Sequence, residues 1–527
     1  MKRRSVVLLA GVGLSAAIGS FYWLKDKDSL VRQNGYKGSA LPDAWDSSAD
    51  VIVVGGGAAG LSAALSASES GASVILIEQN DALGGDTLIS GGYFNAVDPS
   101  RQAPMGIRDS VQLFKKQIIE SGGGKNSPQV AEVFAKEASV SLAWLERHGM
   151  RFLPDIFNVF GSPSPRAHKP VFPRGEGYIR TLSSACLKKK VDIQLKSRAT
   201  GLFRNDQGRI IGIEIIQKEG LKSLRASKGV ILASGGYGAN KEMLERFAPR
   251  FATLPCDSQS GATGEMIHAA AEIGAPLQNM DLVECTPGSL PGSDLMVRLD
   301  IRPNRMIMVD LEGKRFVDES GYRSKIAEAI LSLPEQHCWS ISDSDTVSSF
   351  DVTIQKNLYR NLFAGHIFRA DTLEKLAQQI QVPPASLRSS VLSVSQSRHI
   401  KTPPFWAAPV YLRIHTTLGG LVINGKAECV DSNGVPIPGL WAPLLSLLQQ
   451  HFLSRQRRQR GLRSGMSQQM SSSLASVALV LPPLFQPRRM AQMLLFLKRI
   501  PKIITSVIPA CQAASSTAQT KTVTRLP

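Results

Sequence analysis

The stretch "ADVIVVGGGAAGLSAALSASESGASVILIEQN", residues 49–80, carries the pattern on which the fold turns. Val51 to Val54 is a continuous apolar run, as expected of a strand covered on both faces. Gly55, Gly57 and Gly60 come next in GxGxxG spacing, and a small-residue helical segment succeeds them. A second apolar strand, Val74 to Ile77, ends in Glu78, 18 residues past Gly60. Such a βαβ unit turns tightly at its first glycine and lets a pyrophosphate approach the helix N-terminus. Glu78 stands where an acid accepts hydrogen bonds from a ribose. A lone GxGxxG says little, but strand, helix and terminal acid together predict an α/β fold and a bound dinucleotide.

Directly after Glu78 comes "QNDALGGDTLISGGYFNA", with Gly84-Gly85 and Gly91-Gly92 inside fifteen residues of the acid. These pairs suggest backbone running along a long, extended cofactor. A later strand-turn, "KGVILASGGYGAN", again places small residues after a buried strand. The sequence contains no second complete GxGxxG unit with its own acid. FAD is therefore favoured over NAD, and no built-in NAD site is expected.

The 527 residues suffice for two or three domains. The net charge of +18 would ordinarily suggest a polyanionic partner. Twelve Lys and Arg with no acid fall in residues 442–527, however, which leaves only +6 for the rest. That balance suits small anionic substrates, not nucleic acid. The six cysteines form no CxxC, which excludes zinc ribbons and thioredoxin-type pairs, and no CxxCH for covalent c-type haem. No metal site is expected. At the N-terminus, Lys2, Arg3 and Arg4 precede an uncharged run from Ser5 to Leu24. Residues 1–28 thus have the form of an export signal, of twin-arginine type, or of an uncleaved membrane anchor. Either places the main body outside the cytoplasm. The segment from Ser110 to Leu187 reads as helical. Asn205 to Gly208 reads as a hairpin turn, and Asp371 to Ser397 as two helices split by Pro383-Pro384.

Six motifs occur in one order: "VVGGGAAGLSAA", "LGGDTLISGG", "ASGGYGAN", "GATGEM", "KRFVDESGYRSK" and "HTTLGGLVIN". In this combination the chain resembles the fumarate reductase/succinate dehydrogenase flavoprotein family, particularly the soluble exported fumarate reductases of flavocytochrome c type. The resemblance implies a Rossmann-like FAD-binding domain interrupted by an α+β capping domain that closes over substrate. The implied boundaries are 49–284 and 416–441 for the FAD domain and 285–415 for the cap. Beside the glycines Gly55, Gly57, Gly60 and Gly85, implied FAD contacts fall on Ala59, Glu78, Asp86, Thr87, Gly91, Gly92, Ala199, Glu265 and Thr416. Asp86 stands where the family commonly has Asn, and Glu265 where it commonly has Asp.

The implied chemistry is hydride addition from flavin to one carbon of an activated alkene, with a proton delivered to the other. The proton donor falls on Arg323 of "DESGYRSK", and a relay arginine on Arg302 of "LDIRPN". Asp300 is a substitute for the relay acid, whose matching position is Leu299. His415 matches a substrate-binding histidine. Thr286 of "ECTPGS" replaces a second such histidine with an uncharged hydroxyl. Without a haem motif or an NAD site, electrons come from an external carrier, a cytochrome or a quinol-linked protein. Two rivals stand beside this reading. One is a flavin dehydrogenase acting on a ketosteroid or tricarboxylate, although Arg323 with Arg302 argues against a ketosteroid, which offers no carboxylate. The other is a degenerate, inactive FAD-binding protein.

The C-terminus departs from the resemblance. From Ser432 to Pro527 there is no Asp or Glu, although the chain has 43 of them. In the family "GLWA" leads into "AGE", a glycine-rich "GGxxGANRLGGN" and an amphipathic helix that wrap the flavin ring. Here "GLWA" leads into "PLLSLLQQHFLSRQRRQR". A change of composition where a family motif stops in mid-phrase reads as a shifted reading frame. The alternative is a basic membrane-surface segment centred on "MLLFLKRIPKIITSVIP". The adenosine half of the FAD site is then complete and the ring half lacks a wall, so weak flavin retention is expected.

Overall fold

An apolar run such as Val51–Val54 is stable only if apolar groups cover both of its faces, and the chain supplies them. The computed structural model describes residues 40–157, 164–288, 299, 305–319, 323–350, 352–398 and 400–443. The export signal or anchor, Asp300, Arg302 and nearly all of the basic tail lie outside the described residues.

Strand β1 (Ser47–Val54) lies between β2 (Val74–Ile77) and the long strand β6 (Gly220–Leu232), parallel to both. Parallel pairing continues outward to β3 (Asp192–Gln194) beyond β2 and to β13 (Pro436–Trp441) beyond β6. The antiparallel β12 (Glu428–Val430) closes that edge. A hairpin of β4 (Arg198–Arg204) and β5 (Ile210–Gln217) extends the outer part of β6. Its turn is the one expected at Asn205–Gly208, where the Gly208 N–H donates to the Asn205 carbonyl at 2.9 Å.

The two faces of β1 enter different cores. Val53, Val74 and Leu76 pack with Leu61 and Leu65 of α1 (Ala58–Glu69) and with Phe114, Phe134, Leu145 and Tyr178 from three further helices. Ile52, Val54, Ile75 and Ile77 pack with Ile213 and Ile215 of the hairpin and Met266 and Ala270 of α3 (Glu265–Glu272). Burying each such side chain stabilises the fold by roughly 1.5–3 kcal/mol.

A second, antiparallel sheet spans residues 283–417. Its strands are β7 (Val283–Pro287), β8 (Ile307–Val309), β9 (His337–Ser342), β10 (Phe368–Ala370) and β11 (Phe405–Thr417). The 13-residue β11 pairs with β7, β9 and β10. This sheet has its own core, in which Ile307, Val309 and Ile341 meet Leu376 and Leu387 of two covering helices. Those helices, Leu373–Gln379 and Pro384–Arg398, meet at Pro383-Pro384 as expected. Thr372 caps the first, its hydroxyl oxygen accepting from the Lys375 N–H at 3.2 Å.

One expectation needs correction. The segment from Ser110 to Leu187 holds helices Val111–Ser121, Pro128–Arg147 and Glu176–Lys188, but also strands Phe152–Phe157 and Ala167–Pro170. Together with Phe94–Asn95 they form a three-stranded antiparallel sheet. Here Phe94, Ile156 and the fully buried His168 point inward, a strand periodicity too short to stand out from the flanking helices. Among the described residues no helix is long and apolar enough to cross a membrane.

Candidate active site

The crevice of a parallel sheet opens at the carboxyl ends of its strands. β1 ends at Gly55, whose φ of +110° leaves no room for a side chain: an added Cβ would lie 2.2 Å from the Ala233 carbonyl oxygen. Gly60 serves packing, because a Cβ there would sit 1.8 Å from the Gly55 carbonyl oxygen and push α1 off the turn. The two glycines thus bring α1, β1 and the end of β6 into contact around an open cleft.

Of the implied FAD contacts, Gly55, Gly57, Ala59, Glu78, Gly85, Asp86, Thr87, Ala199 and Glu265 line this cleft. Gly60, Gly91, Gly92 and Thr416 do not. Gly92 sits behind the wall, its carbonyl accepting from the Tyr178 hydroxyl at 2.8 Å, and Thr416 is buried on β11. FAD fits the residues present. A Cβ added at Gly85 would meet nothing nearer than 3.9 Å, and one at Gly235 nothing within 4 Å, so bare backbone faces open space. The cap residue of α1, Gly57, contributes no side-chain hydrogen bond and the first turn holds no acid, leaving the positive helix end to an anion. Thr87 ties the short helix α2 (Gly85–Ile89) to that turn, its hydroxyl oxygen accepting from the Ala58 N–H at 3.1 Å.

Three acids border the cleft. Glu78 is buried and accepts from the Gly56 N–H at 2.7 Å and the Asn80 N–H at 2.9 Å, which fixes its carboxylate at the ribose end. Glu265 pairs with Arg198 at 3.0 Å. Asp86 accepts from the Gln259 N–H at 2.6 Å, and burial pushes its carboxyl up to about 6. A raised folded-state value means that the fold favours the proton. The stability this confers is present at low pH and is lost as pH rises from the unfolded value of 3.8 to about 6. Asp86→Asn keeps the acceptor and removes the charge. We expect its apoprotein to melt higher than wild type at pH 8, by roughly 1–2 °C for each kcal/mol recovered, and equally at pH 4. Parallel melting curves for both proteins across that range would contradict the assignment.

The implied substrate residues lie partly on the second sheet. Thr286 on β7 stands directly opposite Arg413 on β11, and His415 comes two residues later, at an irregularity where the pairing shifts between Glu284 and Cys285. The Thr286 hydroxyl, expected to face substrate, donates instead to Asp257 Oδ2 at 3.3 Å. Arg413 Nε donates to Asp257 Oδ1, and Arg413 Nη2 to the Cys256 carbonyl at 3.2 Å. The Cys256–Gln259 segment therefore bridges the two halves. Ser258 Oγ donates to the His415 carbonyl at 3.4 Å, while the next residue, Gln259, lines the cofactor cleft. Arg323 is the first residue of α4 (Arg323–Leu331), with its side chain outside the described set. Asp257 and Arg413 were not anticipated. The spacing Arg413-x-His415 on a strand was the available signal, since alternate strand residues share a face.

Comparison with known proteins agrees with this architecture. The FAD binding domain family matches residues 50–442. The chain is 31% identical to probable fumarate reductase Ifc3 of Shewanella frigidimarina over 74% of this chain and 68% of that one. It is 28% identical to urocanate reductase of Eggerthella lenta, over 81% and 76%. The open conformation of a flavocytochrome c3 fumarate reductase superimposes with a TM-score of 0.66 at 30% identity, covering 76% of this chain and 73% of that one. The cofactor is thus FAD, and the chain belongs to the fumarate reductase/succinate dehydrogenase flavoprotein family of FAD-dependent oxidoreductases.

Proposed function

We propose that the chain reduces the C=C bond of a small unsaturated carboxylic acid, fed with electrons by a separate cytochrome or quinol-linked protein. The observation that carries this is the bridge between the two sheets: one short segment, Cys256–Gln259, touches both the cofactor cleft and the His415 backbone. A strand with the implied substrate histidine thus runs beside the flavin site. Reduced FAD, when bound, supplies the hydride to one alkene carbon. Arg323 delivers a proton to the other carbon, so the alkene gains a hydride and a proton and becomes a saturated acid. A guanidinium is an acid only toward a strongly basic carbon, and its charge also steadies the enolate-like transition state. Arg302 and Asp300 return the proton to Arg323. His415 holds the substrate carboxylate, orienting the double bond and withdrawing developing charge.

Oxidation of a reduced viologen tests the reaction class. With FAD in excess, unsaturated acids such as fumarate, methacrylate and urocanate are expected to accelerate dye oxidation. Turnover with a ketosteroid and none with any acid would favour the rival dehydrogenase. No turnover with either class would favour a degenerate flavin-binding protein.

A further inference from the structure

The end of the candidate substrate site formed by β7 and β11 carries an unusual charge arrangement. Thr286 stands where the family places a histidine that grips a carboxylate, and its one hydroxyl proton is given to Asp257. The neighbouring cation, Arg413, gives Nε to the same carboxylate and Nη2 to the Cys256 carbonyl. The two partners are not equally accessible: the Arg413 side chain is 13% exposed and that of Asp257 is 28% exposed. The acid is thus the more accessible partner of the pair. A second substrate carboxylate brought here meets an acceptor-only group whose charge is already matched by Arg413, so it gains no counter-charge there, while a neutral N–H or O–H finds an acceptor in place.

We propose that Asp257, held by Arg413 and Thr286, is a specificity-determining residue that makes this site prefer an unsaturated monocarboxylic acid bearing a neutral hydrogen-bond donor over a dicarboxylate. This rests on the enoate-reductase function, in which the reacting carboxylate is held at the other end by His415.

Fumarate and its monoamide form the sharpest pair, equal in shape and differing only in whether the distal group is an anion or a neutral donor. Calorimetric titration of the full chain, saturated with FAD, reads binding without requiring turnover. The monoamide is expected to bind about tenfold more tightly than fumarate, and Asp257→Asn to bring the two within about twofold. Should Asp257→Asn not fold, Thr286→Val serves in its place. It removes the donor to Asp257 and is expected to widen the preference for the monoamide. Fumarate binding as tightly as the monoamide to wild type, or an unchanged ratio in Asp257→Asn, would overturn the proposal while leaving the enoate site intact. Binding of neither acid, nor of any other enoate, would overturn the proposal together with the enoate-reductase function beneath it.

Discussion

Arg323→Gln is expected to lower the rate at which an unsaturated acid reoxidises the bound, reduced flavin by about 10²–10⁴-fold, the usual contribution of a positioned general acid. The side chain offers an amide in place of the guanidinium, so neither proton nor positive charge reaches the carbon that becomes carbanion-like. Lysine restores charge but not the fork that holds a carboxylate in register, and Arg323→Lys is expected to recover little. FAD affinity is expected to stay within a few-fold of wild type. Arg323 opens α4, in the segment that carries the second sheet, whereas the cleft is lined by residues within 54–59, 77–80, 85–87, 197–199 and 233–266. Rapid mixing of photoreduced protein with fumarate or its monoamide, beside a flavin titration, separates the two quantities. A rate within threefold of wild type would remove Arg323 from the reaction.

The second large effect lies in the chain beyond Ala442. β13 runs parallel to β6, with Leu440 opposite Val230 and Trp441 opposite Ile231. Two residues beyond Ile231, Ala233 already lines the cofactor cleft. The chain therefore leaves β13 at the same sheet edge as the flavin crevice, and the residues after it start beside that crevice. The match to the FAD binding domain family ends at residue 442, where the acid-free composition has taken over. Grafting a family ending of the "AGE … GGxxGANRLGGN" form after Ala442 would cover one face of the flavin ring. At about 25 cal/mol per Å² over an aromatic surface of order 150–250 Å², FAD is expected to bind roughly three to five orders of magnitude more tightly. Retention of the 450 nm flavin band through dialysis reads this directly. Stoichiometric FAD retained by the natural chain, with no gain in the graft, would show that residues after Ala442 already complete the site.

How much of this was written in the sequence depends on the range of the interaction. The β1–α1–β2 unit was legible because its parts are contiguous: a run buried on both faces, a turn only glycine fits, and an acid at the end of the next strand. The family motifs carried Asp86, Thr87, Ala199 and Glu265 to the cleft, where the structure also has them. Gly60 was placed among the cofactor contacts, yet it faces the Gly55 carbonyl, because one glycine spacing serves both close approach and close packing. Strands Phe152–Phe157 and Ala167–Pro170 were lost among helices because both are short, and the first is interrupted by Pro154 and only partly buried. The pairing of Asp257 with Arg413 was invisible for another reason. They are 156 residues apart and meet only because Cys256 runs alongside Ile414 at the edge of β11.

Range of interaction also divides the two halves of the active site. The cofactor half is set by backbone geometry within one sheet. The proposed substrate half is assembled across β7, β11 and the Cys256–Gln259 segment, so its selectivity would depend on side chains that no local motif predicts. Thr286 illustrates this. A loss of charge is readable from the sequence, but the hydroxyl's engagement with Asp257 is not.

The central claim is that flavin held in this cleft passes its electrons to a carbon–carbon double bond. Protein reconstituted with FAD, photoreduced under strict exclusion of oxygen, and titrated with an unsaturated monocarboxylic acid tests it most directly. Recovery of the oxidised flavin spectrum is expected at one acid per flavin, with an equal yield of the saturated product. A flavin that stays reduced with every unsaturated acid, and recovers its colour only on admission of air, would contradict it.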